Sequence, residues 1–256
     1  MYLDRWLAPA PDPARVGWLG QWTYAHRGLH GPGALENSPA AFSAAIDAGL
    51  GIECDVHRSA DGRAIVFHDW ELDRLTTGQG SVASLTTAQL AGVPLRSGER
   101  IPLLREMLDR VAGRVPVLIE LKTRRERPVP PLCRAVLREL AGYRGRHAVM
   151  GFDPRVGHWF AGHAPATVRG LVVSEANART FSHTVGRHLA LWRARPDFLA
   201  YDVRDLPSAF GASQRARGLP VLTWTVASAA SARTSAACAD AAIAEGEGVA
   251  SLTLAA

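Results

Sequence analysis

Short apolar runs alternate along this chain with segments whose apolar residues recur at helical spacing. The runs at 22–26, 51–56, 115–121, 147–152, 167–173, 198–202, 220–226 and 240–244 predict strands. The segments at 40–48, 102–112, 131–141, 154–161, 185–194, 206–217 and 228–239 predict helices, with a last one from about Glu245. Ser38 followed by Pro39 has the chemistry of a helix start, and Gly49 that of a helix end. One pair of runs breaks the alternation. Asp61-Gly62 separates 51–56 from 63–68, which predicts a hairpin whose second arm runs antiparallel to the first. With that arm set aside, eight strands alternating with helices predict an α/β fold, a (β/α)8 TIM barrel. It is expected as one domain, 1–256, with a small insertion at about 70–100 after the hairpin ends at His68. A doubly wound sheet is the alternative, but Gly28, Gly31 and Gly33 lack the G-x-G-x-x-G spacing of a dinucleotide fold.

Polar residues interrupt the apolar runs at a few places. Glu53 and Asp55 are two apart, so on a strand they share a face, and the hairpin returns His68 towards Asp55. Two like charges held together need a positive partner. Oxygen ligands suit a hard cation, Mg2+ or Ca2+. The run 117–122 ends in Glu120 and Lys122, again on one face, and His26-Arg27-Gly28 follows the first strand. In a barrel, groups at the C-terminal strand ends meet. Glu53, Asp55 and Glu120 are therefore the expected metal ligands. Arg27 and Lys122 are expected to hold a phosphate. His26 and His68 are suited to divide the acid and base roles in breaking a P–O bond. His57 shares the face of Glu53 and Asp55 and is a weaker candidate, as are Phe152 and Tyr201 at other strand ends. Asp69 is expected to cap or orient the His68 turn. For Glu36, pairing with Arg27 and a helix-start role both remain open, and for Asn37, phosphate binding and turn chemistry.

Composition narrows the partners. The 256 residues are 47% hydrophobic, enough for a full core. Net charge is +5 and the isoelectric point about 9.6, but the basic residues are scattered, which suits anionic small molecules and not nucleic acid. The outer part of the basic stretch 122–127 is expected to be a solvated loop. Cys54, Cys133 and Cys238 show neither zinc-ligand nor disulfide spacing, which points to the cytoplasm. No signal peptide or transmembrane span is expected. Residues 1–7 are expected to cover one end of the barrel, peripheral membrane contact being the other option.

The chain resembles the glycerophosphodiester phosphodiesterase family. The shared pieces are His26-Arg27-Gly28, Glu36-Asn37-Ser38, Ala41-Phe42 with Ala45 and Gly49, Glu53-Cys54-Asp55-Val56, Asp61-Gly62, Val66-Phe67-His68-Asp69, Ile101-Pro102-Leu103, Ile119-Glu120-Leu121-Lys122 and Trp224-Thr225-Val226. They are dense as far as Lys122 and sparse beyond it. The resemblance implies a (β/α)8 barrel, His26 and His68 as the acid/base pair, and one Mg2+ or Ca2+ ion on Glu53, Asp55 and Glu120. It also implies Arg27 and Lys122 on the phosphate and Trp224 lining a glycerol pocket. The implied reaction is hydrolysis of a glycerophosphodiester to glycerol 3-phosphate and an alcohol. Ala227 stands where the family often has Asn, and Ala244-Glu245 where it often has Thr-Asp, which bears on head-group preference. Lysophospholipase D-type activity and a non-catalytic phosphate-binding barrel are the alternatives.

Overall fold

A computed structural model describes residues 3–175 and 181–253. The chain forms two compact units, one of residues 25–147 and one of 1–24 with 148–256. The N-terminal stretch holds two short helices, α1 (Asp4–Leu7) and α2 (Pro13–Val16), and a 3-10 turn at Leu19–Gln21. Then come β1 (Tyr24–Ala25), α3 (Pro39–Asp47), β2 (Gly51–Arg58), β3 (Ala64–Val66), α4 (Thr87–Ala91), α5 (Leu104–Val111), β4 (Val117–Leu121) and α6 (Pro130–Leu140). The remainder alternates regularly: β5 (His147–Gly151), α7 (Pro154–His163), β6 (Val168–Val173), α8 (Phe181–Ala194), β7 (Phe198–Asp202), α9 (Ala209–Ala216), β8 (Val221–Val226), α10 (Ala229–Cys238), β9 (Ala241–Ala244) and α11 (Glu247–Thr253). The fold is a (β/α)8 TIM barrel, as the pattern predicts, and β3 is the strand outside the parallel set.

Within residues 25–147, β2 is the central strand. It pairs in parallel with β4, which sets Asp55 opposite Glu120 and Glu53 opposite Leu118. It pairs antiparallel with β3, Val56 opposite Val66, so the expected hairpin forms. The backbone continues the pairing as Phe67 N donates to Asp55 O at 2.9 Å, which carries His68 to the end of β2. Ser38 caps α3 through the backbone N–H of Ala41, with Pro39 in the first turn, as the sequence predicts. The insertion builds a core of its own. Leu72, Leu75, Val82, Leu90 and Leu95 pack with Ile65 and Phe67 of the hairpin and with Ile101. It also contains α4, started by a Thr86–Gln89 capping box that the sequence pattern did not register.

In the other unit, β5 to β9 pair in parallel in chain order, with Asp202 opposite Trp224 in the β7–β8 register. Leu171, Leu191, Leu199, Tyr201 and Leu219 form a core between strands and helices. Two expectations need correction. The helix expected at 206–217 starts only at Ala209, because Pro207 keeps Leu206 out of helical geometry and Ser208 supplies the cap. The strand expected at 22–26 is only Tyr24–Ala25. Of residues 1–7, Met1 and Tyr2 lie outside the described residues. Asp4 is buried, accepting hydrogen bonds from His188 Nδ1 (2.9 Å), Trp192 Nε1 (2.8 Å) and Gln214 Nε2 (3.0 Å). Among the described residues no helix is long and apolar enough to cross a membrane.

Candidate active site

Alternation along β2 gathers the acids. Glu53 and Asp55 are buried on one face of β2, and Glu120 joins them from β4 through the Asp55–Glu120 register. Ligand oxygens of all three carboxylates lie within 4.8 Å of one another. Cys54 points away and is buried, as alternation requires. Lys122, two residues beyond Glu120, places Nζ 2.8 Å from Glu120 Oε1 and 3.1 Å from Asp55 Oδ1.

The loop after β1 supplies the second cation. Arg27 has φ of 56°, and Gly28 follows with φ of 78°. A Cβ at Gly28 would meet the Ala41 backbone at 2.9 Å, so the loop lies directly on α3 and only glycine fits. This turn aims Arg27 N at Glu53 Oε2 (3.0 Å) and sets Arg27 Nε 3.3 Å from Asp55 Oδ2. His26 Nε2 is 4.0 Å from Glu53 Oε2.

A continuous polar chain ties His68 to the same centre. His68 Nδ1 donates to Asp69 Oδ1 at 2.8 Å. Arg74 Nε and Nη2 donate to the two Asp69 oxygens (2.6 and 2.9 Å), and Arg74 also forks onto Glu36 (3.0 and 2.7 Å). Glu36 accepts from Arg27 Nη1 at 2.7 Å, which returns the chain to Asp55. Asp69 therefore orients the imidazole, and Glu36 pairs with Arg27. Arg74, in the insertion, is a member that sequence reasoning missed, since nothing in the local pattern tells which loop arginine will fold back. Asn37, at φ of 56°, donates from Nδ2 to Asp55 Oδ2 (2.9 Å) and accepts from Asp55 N (3.3 Å). Its amide positions a carboxylate. His57 Nε2 donates to the His68 carbonyl at 3.0 Å, and the His57 ring meets Trp70 edge-on.

These contacts split the carboxylates. Burial pushes Glu53 well up, and the neighbouring Asp55 and Glu120 add to the rise. Burial likewise raises Glu120, against the pull of Lys122. Burial works on Asp55 too, but Lys122, His68, Arg27 and the Asn37 amide overcome it and hold Asp55 at about 2. His68 is lowered, chiefly by burial. Glu53 Oε1 is buried without any hydrogen-bond partner. An orphaned buried carboxylate oxygen facing two more acids is the donor set of a hard divalent cation, so the residues present fit such an ion.

Trp224 is described in the other unit. Its Nε1 donates to Ala200 O at 2.9 Å, and its ring stands edge-to-face with Phe152, centroids 5.5 Å apart. Phe152 is 48% exposed. Tyr201 is buried, its hydroxyl bonded to Glu175 and Ser208, so it lines no open surface. That unit also holds a cavity of about 280 Å³ lined by Phe152, Val173, Glu175, Arg187, Ala190 and Phe210.

The fold and site together define a (β/α)8 barrel with a largely buried cluster of three carboxylates flanked by two imidazoles and two fixed positive charges. The chain belongs to the glycerophosphoryl diester phosphodiesterase family, whose model matches residues 26–246. It is 38% identical over 108 residues to a glycerophosphodiester phosphodiesterase of Caldanaerobacter subterraneus, a match covering 39% of this chain and 44% of the relative. A Bacillus subtilis relative is 40% identical over 106 residues, which cover 38% of this chain and 43% of that protein. The chain thus spans less than half the length of these curated relatives. Among solved structures, the Thermotoga maritima glycerophosphodiester phosphodiesterase superposes with a TM-score of 0.72 at 25% identity, covering 91% of this chain and 96% of that one. An Oleispira antarctica phosphodiesterase in complex with the product sn-glycerol-3-phosphate superposes with a TM-score of 0.73 at 21% identity, covering 87% and 92%.

Proposed function

We propose that this protein hydrolyses glycerophosphodiesters to glycerol 3-phosphate and an alcohol, with one divalent cation, Mg2+ or Ca2+. A single observation carries the reading: three carboxylates, two of them buried and Glu120 half-buried, converge within 4.8 Å, one oxygen of Glu53 lacks any partner, and Arg27 and Lys122 flank them. The product complex of the Oleispira antarctica protein, which shares the fold, supports the substrate class.

In this mechanism Glu53, Asp55 and Glu120 hold the cation. When bound, it supplies a positive charge that polarises a phosphoryl oxygen and places the nucleophile. Arg27 and Lys122 hold the remaining phosphate charge in a site that burial keeps poor in water. His26 and His68 move protons. The Asp69 carboxylate takes the Nδ1 proton of His68 as a hydrogen bond, which leaves the Nε2 lone pair to accept a proton from the attacking water. His26 is then the acid that protonates the leaving alcohol oxygen. A P–O bond to water forms as the P–O bond to the alcohol breaks. Trp224 contributes an apolar wall for glycerol. Cysteines without disulfide or zinc-ligand spacing suit a cytoplasmic setting.

The test is release of glycerol 3-phosphate from glycerophosphocholine with Mg2+ or Ca2+ and its loss with EDTA. His26→Ala and His68→Ala are each expected to slow turnover by roughly 10²–10⁴-fold. A variant with near-normal rate removes that histidine from the mechanism, and binding without product identifies a non-catalytic barrel. Lysophospholipid as substrate is favoured by one feature, the exposed Leu3, Trp6 and Leu7 of the N-terminal stretch, which suit a lipid surface. Rates on lysophosphatidylcholine and glycerophosphocholine separate the two.

A further inference from the structure

The loop after β4 is exposed from Arg124 to Pro128, as expected of a solvated loop, yet two of its arginines reach a neighbouring ring. Arg124 and Arg127 both lie over the ring of Trp70, their guanidinium carbons 4.2 and 5.6 Å from its centroid. Trp70 belongs to the insertion and is itself braced by His57. Between them lies a cavity of about 130 Å³, bounded also by Arg58 and Lys122 and by the start of α6. Among the described residues no carboxylate pairs with Arg58, Arg124 or Arg127. Four cationic side chains therefore line one small space, and no acid lines it. Exposed arginines without a carboxylate partner, two of them over one aromatic ring, are placed to grip an oxyanion.

Position gives the pocket its meaning. Lys122 bounds it, and the same ammonium reaches Glu120 and Asp55 in the acidic centre. The geometry points to a second anion subsite: the pocket formed by Arg58, Arg124, Arg127 and Trp70 takes a negatively charged group carried by the leaving alcohol of the phosphodiester. This rests on the hydrolase reading above and narrows its substrate class to glycerophosphodiesters with an anionic head group. The same field disfavours a quaternary ammonium head group, so choline esters are the poorer substrates.

Two substrates that differ by one phosphate isolate the effect: glycerophosphoinositol and glycerophosphoinositol 4-phosphate. The wild-type protein is expected to favour the phosphorylated one in kcat/KM by roughly tenfold or more, mainly through KM. In Arg124→Ala/Arg127→Ala that ratio is expected to fall towards one. Salt at about 0.5 M should shrink the wild-type ratio as well, a check that needs no variant. Turnover of both substrates without the preference, or with a preference the double variant keeps, overturns the subsite and leaves the hydrolase reading standing. So does an equal loss on both substrates, which assigns the arginines to pinning the loop. With neither substrate hydrolysed under any divalent ion, the hydrolase reading falls and this inference with it.

Discussion

Glu53 and Asp55 stand two residues apart on one strand face, yet their protons are held in opposite ways. Both are buried, and burial alone raises a carboxyl group. Asp55 escapes because Lys122, His68, Arg27 and the Asn37 amide all favour its charged form, whereas Glu53 faces chiefly its two acidic neighbours. Asn37 is the informative member of this set. Asn is among the few residues that tolerate its positive φ, and its side chain makes two hydrogen bonds to Asp55. Asn37→Ala is expected to weaken divalent-ion affinity by roughly 10–100-fold. The readout is the midpoint of a metal-activation titration, and an unmoved midpoint removes Asn37 from the supporting shell. The sequence left Asn37 between turn chemistry and phosphate binding. Its partner lies 18 residues away, and no local pattern names such a partner.

At the level of elements, the β2–β3 hairpin and its insertion form one device. The hairpin delivers His68, and the insertion delivers Arg74 and Trp70, which engage His68 through Asp69 and the loop after β4 through its arginines. What holds the insertion in place is apolar packing onto Ile65 and Phe67. Leu72 is fully buried in that cluster. Leu72→Ala is therefore expected to cost about 2–5 kcal/mol, measured by chemical denaturation. A loss within experimental error would mean that the cluster is not the anchor. The hairpin was legible because Asp-Gly between two apolar runs is a local signal, and period-two alternation placed three acids on two strand faces. α4 was not legible, since a single turn carries too few apolar positions to show a helical period. The start of α9 was misplaced because apolar spacing outweighed Pro207, a local stop signal that should have prevailed.

At the scale of the whole chain, Asp4 shows how distant segments are tied together. It accepts hydrogen bonds from side chains 184, 188 and 210 residues away. Burial opposes its ionisation, but the hydrogen bonds it accepts, those from Gln214, Trp192 and His188 among them, hold its carboxyl well below the usual range. A depressed folded-state value means stability that is fully present above the unfolded value of about 3.9 and is lost as the pH falls through the folded one. At pH 7, Asp4→Asn is expected to cost about 1–3 kcal/mol. That difference should narrow steadily as the pH drops below about 4, followed by denaturant midpoints across the acid range. A pH-independent difference would show that the charge on Asp4 is not what matters.

Residue order settled whatever depends on neighbours along the chain. Alternation with period two chose the face of each acid, helical spacing and caps marked α3 and α5, and turn residues marked the hairpin. These are short-range steric and hydrophobic rules, so they survive without coordinates. Folding settled what depends on through-space partners. It recruited Arg74, made Asn37 a support for Asp55, left one oxygen of Glu53 unpartnered, and set two loop arginines over Trp70 beside a pocket that no acid lines. Charge and hydrogen bonding act over a few ångströms whatever the separation in sequence, and only the tertiary structure says which groups come that close.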